Sequence, residues 1–336
     1  MKIAVDAMGG DNAPEVVVQG AVQAASELGI HVTLIGDKAL IAGALGSQVS
    51  SDHIAVHHCE EVVQMDESPL KAVRKKKDAS IRVAFDLVKN GNANAVVSAG
   101  NSGATLAAGV LTLGRLKGVE RPAIAGIFPG EKSHVVLIDM GANVDCRPAQ
   151  LFQFGIMGHA FASSCLGMKN PKVGLLSIGE EDSKGNEQVR LTHELFEQSL
   201  LNFKGNVEGR DIFSGDVQIV VCDGFVGNVA LKLVEGMAEA MTNMLKAELK
   251  RSFLGRTAFL FGRREIRRFK RELDYEEYGG APLLGINGVG IVCHGGSPVR
   301  AIRNAVKTAA MYVENRVVQK MVEGLNTMMS KKNFGA

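Results

Sequence analysis

The stretch Ala95-Val96-Val97-Ser98-Ala99-Gly100-Asn101-Ser102-Gly103-Ala104-Thr105-Leu106-Ala107 decides how this chain is read. An apolar run leads straight into a Gly-rich turn and then into small residues that suit a helix. A parallel strand delivers the loop after it to one edge of its sheet. The helix that follows opens with unpaired backbone N–H groups at the positive end of its dipole, where an anion is welcome. Gly100 and Gly103 let the backbone approach a ligand, and Ser98, Asn101, Ser102 and Thr105 carry short polar side chains that match phosphate oxygens. The same residues also read as a plain helix start with Asn101 or Ser102 as N-cap.

Working outward, the design repeats. Residues 2–11 read as a short buried strand ending in a polar Gly turn, and Pro14 stands where a helix over Glu15–Leu28 can begin. His31–Gly36 and Ile54–His58 read as strands with about two turns of helix between them. Ser68-Pro69 marks a helix start, followed by a basic run through Lys77 that reads as a solvated face or a binding patch. Ala123–Phe128 reads as a further strand. The apolar runs beginning at 135, 172 and 217 each end in acid, Gly and Asn. Repeated strand, polar loop and helix units predict a mainly parallel sheet covered by helices on both faces, with the loops gathered at the strand C-terminal edges.

A long helix is predicted over about 228–254. Val229, Leu233, Met237, Met241, Met244 and Leu245 form an apolar stripe on it, suited to a core or a subunit interface. Residues 284–294 read as one Gly-interrupted strand ending at His294. Ser297 as N-cap and Pro298 at the first position then open a terminal helix to about Leu325.

Composition excludes several classes. The chain has 336 residues, enough for two domains or one large α/β unit, and its formal net charge is only +2, so it carries no overall nucleic-acid signature. Five cysteines, Cys59, Cys146, Cys165, Cys222 and Cys293, are widely spaced without a CxxC pair, as in a reducing compartment. No apolar run is long enough to span a bilayer and no leader-type segment opens the chain, so a cytoplasmic protein is expected. The spacing Gly-x-Gly-x-x-Gly is missing after the first strand, where Asp6 and Asp11 would repel a pyrophosphate. His57 and His58 point to opposite faces of their strand. No nucleophile elbow, no His-Glu-x-x-His and no His/Cys cluster at metal-ligand spacing is present, so neither metal nor cofactor is expected. Loops rich in Gly, Asn and Ser, with Lys184 as a charged donor, suit acyl or phosphoryl transfer by positioning and preorganised donors.

One segment stands apart. Phe259, Leu260 and Phe261 precede Arg263, Arg264, Arg267, Arg268, Lys270 and Arg271, with only Glu265 opposing them. Aromatics beside a basic collar suit a membrane surface or an acidic protein partner, and no base-stacking module accompanies them to suggest nucleic acid. The alternative is a helical hairpin buried in a dimer.

The runs 3–14 (IAVDAMGGDNAP), 98–104 (SAGNSGA), 139–145 (DMGANVD), 184–187 (KGNE), 223–229 (DGFVGNV) and 278–284 (YGGAPLL) resemble, in order and over nearly the whole chain, the signatures of the bacterial phosphate acyltransferase (PlsX) family. The resemblance implies transfer of a fatty acyl group from acyl-[acyl carrier protein] to inorganic phosphate, giving acyl phosphate on the way to phosphatidic acid. A phosphotransacetylase-like enzyme using acyl-CoA is the alternative. It implies a three-layer α/β/α fold with one mostly parallel mixed sheet, similar to isocitrate and isopropylmalate dehydrogenases. Residues 1–336 would then form a single unit of two intertwined halves, with a protruding helical, basic segment at about 245–275.

Lys184 and Asn228 are then expected to stabilise the oxyanion, and Ser98, Gly100, Asn101 and Ser102 to cradle phosphate. Asp139, Asn143, Asp223 and His294 complete the expected substrate-binding set. The implied partners are the acyl carrier protein, a second copy of the chain and, at the inner face of the membrane, a downstream glycerol-phosphate acyltransferase.

Overall fold

Alternation along the strands explains the layers. Ile3 and Val5 belong to one buried cluster while Ala4 belongs to the other, and the same division separates Val136 and Ile138 from Val135 and Leu137. Successive side chains point to opposite faces, so strands apolar at every position must be covered on both sides. The computed structural model describes residues 1–46, 52–251, 262, 264 and 279–330, and it shows that three-layer α/β/α arrangement.

The first half runs β1 (Lys2–Asp6), α1 (Glu15–Leu28), β2 (His31–Gly36), α2 (Lys38–Leu45), β3 (Ile54–His58), α3 (Pro69–Lys75), α4 (Ser80–Lys89), β4 (Ala95–Ser98) and α5 (Ser102–Leu113). The second comprises β5 (Ala123–Phe128), β6 (Val135–Ile138), α6 (Pro148–Cys165), β7 (Lys172–Leu176), α7 (Glu187–Glu197), β8 (Asn202–Val207), β9 (Ile219–Val221) and α8 (Gly224–Arg251). The chain then returns through β10 (Ala281–Leu284), β11 (Val289–Val292), α9 (Val299–Glu314) and α10 (Val317–Ser330).

Among the described residues the eleven strands lie in the order β3-β2-β1-β4-β11-β10-β5-β6-β9-β7-β8. The last two strands of the chain are thus inserted between β4 and β5, which interlocks the halves. β11 is parallel to β4, but β10 is antiparallel to both β11 and β5, and β5 is antiparallel to β6. Consequently β1, β2, β3, β4 and β11 share one direction and β6, β7, β8 and β9 the other. The expected gathering of all loops at one edge is therefore incorrect: the C-terminal ends of the two parallel sets lie at opposite edges. β10 makes the hand-over, pairing Ala281 and Pro282 with β11 and Leu283 and Leu284 with β5.

Several local expectations change. Residues 284–294 are not one strand: Leu284 ends β10, Gly285 with φ 92° turns the chain, and β11 returns antiparallel to β10 as a hairpin. The terminal helix is two helices, broken at Arg316 with φ 53°. Ser68 occupies an N-cap but its side chain makes no capping bond, and Pro298, not Ser297, is the N-cap of α9. α8 begins at Gly224, so Asn228 lies inside it. Its stripe is no core: Leu233, Met237, Met241 and Met244 are all more than half exposed on the chain. No described helix is long and apolar enough to cross a membrane.

Candidate active site

The β1 and β4 loops are built against each other. Asp6 ends β1 fully buried, and Ser98 ends β4 beside it, donating from Oγ to Asp6 Oδ2 at 2.7 Å. The Gly100 N–H in turn donates to Ser98 Oγ at 3.1 Å. A Cβ on Gly9 would lie 2.7 Å from Gly100 N and 2.6 Å from Asp6 Oδ2, so only glycine lets the two loops close. Burial pushes the Asp6 carboxyl above the usual carboxylate range, against the pull of the Ser98 hydroxyl. Asn101 is the N-cap of α5: its Oδ1 accepts from the Ala104 N–H at 3.0 Å while its Nδ2 donates to the Met65 carbonyl at 2.9 Å. Of the four residues expected around phosphate, Ser98, Gly100 and Asn101 are therefore engaged internally. Ser102, exposed at the first turn of α5, faces open space.

That space is a cleft of about 250 Å³ at the hand-over between the halves. Ser102 and His294 reach it from one half and Met140, Gly141, Asn228 and Lys232 from the other, with Ala281 of β10 between them. His294 is exposed and its Nδ1 accepts the Gly296 N–H at 3.1 Å. In the neutral ring the proton is then on Nε2, leaving a donor. Lys232 stands one helical turn after Asn228, held by Glu235 Oε2 at 2.7 Å. The sequence reading missed Lys232 because it took Asn228 as the start of the helix, and no short motif marks the residue one turn further on. An i, i+4 pair inside a helix shares a face.

Asp139 and Asn143 are the frame of the opposing loop. Asp139 is fully buried and accepts from the N–H groups of Ile124 (3.0 Å), Gly141 (3.3 Å), Ala142 (3.1 Å) and Asn143 (2.8 Å), and from Asn143 Nδ2 (2.8 Å). Asn143 Nδ2 also donates to the Pro122 carbonyl at 2.8 Å. Burial pushes the Asp139 carboxyl upward while these donors pull it down. α8 packs on this loop so closely that a Cβ on Gly227 would sit 1.9 Å from the Asp139 carbonyl oxygen. Asp223 caps α8, its Oδ1 accepting the Val226 N–H at 2.9 Å.

A second cleft of about 310 Å³ lies on the other side of the α8 start. Its walls are mostly apolar, from Leu151, Leu175, Leu176, Ile178, Val189 and Val226, with Asp223, Asn186 and Gly185 at the polar side. Lys184 is exposed and lines neither cleft, although its neighbours Gly185 and Asn186 line the second. Its loop is anchored by the Lys184 N–H to the Glu181 carbonyl at 2.9 Å and by Asn206 Nδ2 to the same oxygen at 2.8 Å. One chain thus brings Ser102, Asn228 and His294 together and sets Asp223 and the Lys184 loop at the neighbouring cleft. Of the aromatic and basic segment, Phe259, Leu260, Phe261, Arg263, Arg267, Arg268, Lys270 and Arg271 lie outside the described residues, and Arg264 is exposed.

Cys146 and Cys222 are poor nucleophiles. Burial raises Cys146 to about 12 and pushes Cys222 well above its ordinary value, with the Asp139 charge adding to both.

A family model described as "Fatty acid synthesis protein" matches residues 1–320. The chain is 55% identical over 328 residues to the phosphate acyltransferase of Geobacter sulfurreducens, covering 97% of this chain and 95% of that one. With the phosphate acyltransferase of Trichlorobacter lovleyi it shares 52% identity over 337 residues, covering 100% and 96%. Among solved structures, a phosphotransacetylase from Streptococcus pyogenes superposes with a TM-score of 0.61 at 17% identity over 95% of this chain and 94% of that one. A 4-hydroxythreonine-4-phosphate dehydrogenase from Klebsiella pneumoniae gives 0.50 at 14% identity over 96% and 98%. These two likenesses concern the fold alone. On the family match over residues 1–320 and the identity to its relatives, the chain belongs to the phosphate acyltransferase family.

Proposed function

We propose that this protein transfers a fatty acyl group from acyl-[acyl carrier protein] to inorganic phosphate, releasing acyl phosphate for phosphatidic acid and phospholipid synthesis. The observation that carries the reading is the pairing of two clefts across the start of α8, one ringed by Ser102, Asn228, Lys232 and His294 and the other apolar. Phosphate occupies the first, positioned by Ser102 on the Ser98-Gly100-Asn101 scaffold. The acyl chain lies in the second. A phosphate oxygen attacks the thioester carbonyl carbon, the C–O bond forms, and the carbonyl electrons move onto oxygen. Asn228, the positive end of α8 and Lys184 stabilise that oxyanion. Its collapse breaks the C–S bond, and the carrier thiolate leaves with the electron pair. A thiol pKa of about 8.5 makes it a tolerable leaving group without a strong general acid. No acyl-enzyme is required.

The exposed stripe of α8 packs against a second copy of the chain in a homodimer. An apolar face on a 28-residue helix, about 42 Å long at 1.5 Å per residue, is self-complementary across a two-fold axis. The aromatic and basic segment around 253–271 meets the acidic carrier or an anionic membrane. The enzyme then works at the inner face of the membrane, beside the glycerol-phosphate acyltransferase that consumes its product.

Turnover on acyl-[acyl carrier protein] and on acyl-CoA, compared at equal concentration, tests the substrate. Preference for the carrier-bound thioester supports the proposal. Equal or better use of acyl-CoA would make the protein a phosphotransacetylase-like enzyme instead.

A further inference from the structure

We propose that Asp182, His193 and Glu197 form a binding site for a divalent transition-metal cation of the Zn²⁺ type. The cluster lies where the β7–α7 loop folds back over α7, and its three residues line neither cleft. Each residue offers one ligand atom, and the three atoms lie within 4.8 Å of one another.

The central observation is His193. Its side chain is 6% exposed, while Asp182 and Glu197 are 78% and 58% exposed. The imidazole packs edge-on to Phe203 with ring centroids 5.0 Å apart. Its Nε2 is buried and makes no hydrogen bond, although Asp182 Oδ1 stands only 3.3 Å away. A buried polar atom without a partner is costly, and most such atoms are satisfied by protein, water or an ion. Glu197 follows His193 by one helical turn; its Oε2 is 3.9 Å from Nδ1, the other ring nitrogen, and this exposed carboxylate joins the set, within 4.8 Å, by swinging toward Nε2.

One separation matches a cation held between two ligands. Two ligands at about 2.05 Å from a tetrahedral ion are about 3.3 Å apart, the span between His193 Nε2 and Asp182 Oδ1. One imidazole and two carboxylates suit a borderline ion such as Zn²⁺; Ca²⁺ would require six or more oxygens and Mg²⁺ a near-ideal octahedron. Three protein ligands leave a fourth position for water. Because Asp182 precedes Lys184 by two residues, the bound cation would tie the lysine loop to α7. None of these spacings is a metal motif in the sequence, since the carboxylate of Asp182 arrives from a loop eleven residues before His193.

The test is direct binding, which does not depend on the acyl-transfer reading. Chelator-treated full-length protein titrated with Zn²⁺ should take up one equivalent at this site. Asp182→Asn and Glu197→Gln, both at exposed positions, should each weaken that binding by about tenfold or more while leaving metal-free thermal unfolding unchanged. His193→Gln should abolish it, and if that variant fails to fold the two carboxylate variants carry the test. Co²⁺ in place of Zn²⁺ should give the spectrum of nitrogen and oxygen ligands without a thiolate charge-transfer band. Zn²⁺ should also slow tryptic cleavage after Lys184 in the parent but not in Asp182→Asn. The proposal is overturned by absence of uptake, by equal affinity in the parent and both carboxylate variants, or by a thiolate-type Co²⁺ spectrum.

Discussion

Asn228 and His294 line one cleft although they follow strands β9 and β11, which run in opposite directions. The meeting is produced by β10, which pairs with β11 at its start and with β5 at its end. A polar side chain from each half then faces the same small space.

Removal of either proposed oxyanion donor should therefore cost rate and spare the fold. Asn228→Ala and Lys184→Ala should each lower turnover about a hundredfold, equivalent to about 3 kcal/mol of transition-state stabilisation. Both side chains are exposed, so thermal unfolding should be unchanged. Steady-state kinetics with acyl-[acyl carrier protein] decides, and turnover within about twofold of the parent would remove that residue from the mechanism.

Asp139 should behave in the opposite way. Its two oxygens accept five hydrogen bonds within the buried loop that carries Gly141. Asp139→Asn turns an amide NH₂ toward some of these donors and orphans them, so a loss of about 2–4 kcal/mol is expected. Urea unfolding measures it. A change under about 0.5 kcal/mol would mean that the loop holds its shape without this carboxylate.

Much of this was legible beforehand, for identifiable reasons. Helix and strand spans such as Glu15–Leu28, His31–Gly36 and Ala123–Phe128 match the structure because their apolar periodicity is local. Both faces of Val135–Ile138 are apolar, and that signals a doubly covered strand. Strand direction is not local. Nothing in 123–138 or 281–292 announces that β5, β6 and β10 reverse the sheet, so the sequence alone predicts a common loop edge. Asn101, Asp139 and Asn143 stood out as short polar residues in Gly-rich loops. The same chemistry serves internal caps and ligands alike, and only the fold separates Asn101, bonded to Ala104 and Met65, from Ser102, open to the cleft. Lys232 and the Asp182–His193 approach depend on helix phase and loop return, which no short motif records.

The apolar cleft should set acyl-chain preference. Val189 lines it from α7, and Val189→Phe adds bulk to a space of about 310 Å³. Turnover of long-chain substrates should fall at least tenfold more than that of short-chain ones, since a shortened cleft excludes the longer tail. A uniform loss across chain lengths would place the chain elsewhere.

Charge on the α8 stripe should separate the subunits. Met237 and Met241 are 55% and 60% exposed on one chain and four residues apart, on one face. The double change of both to Glu would bury four like charges across a two-fold contact, and light scattering should then report a monomer. An unchanged dimer mass would assign the interface to another surface, and a monomeric parent would leave the stripe to a different occupant.

The central claim is direct attack of phosphate on a carrier-bound thioester, and radiolabelled inorganic phosphate tests it most directly. Incubated with the protein and acyl-[acyl carrier protein], the label should appear in acyl phosphate in step with release of free carrier thiol, and thiol release should stop when phosphate is omitted. Thiol release without phosphate, or label that never enters an acyl product, would contradict the account.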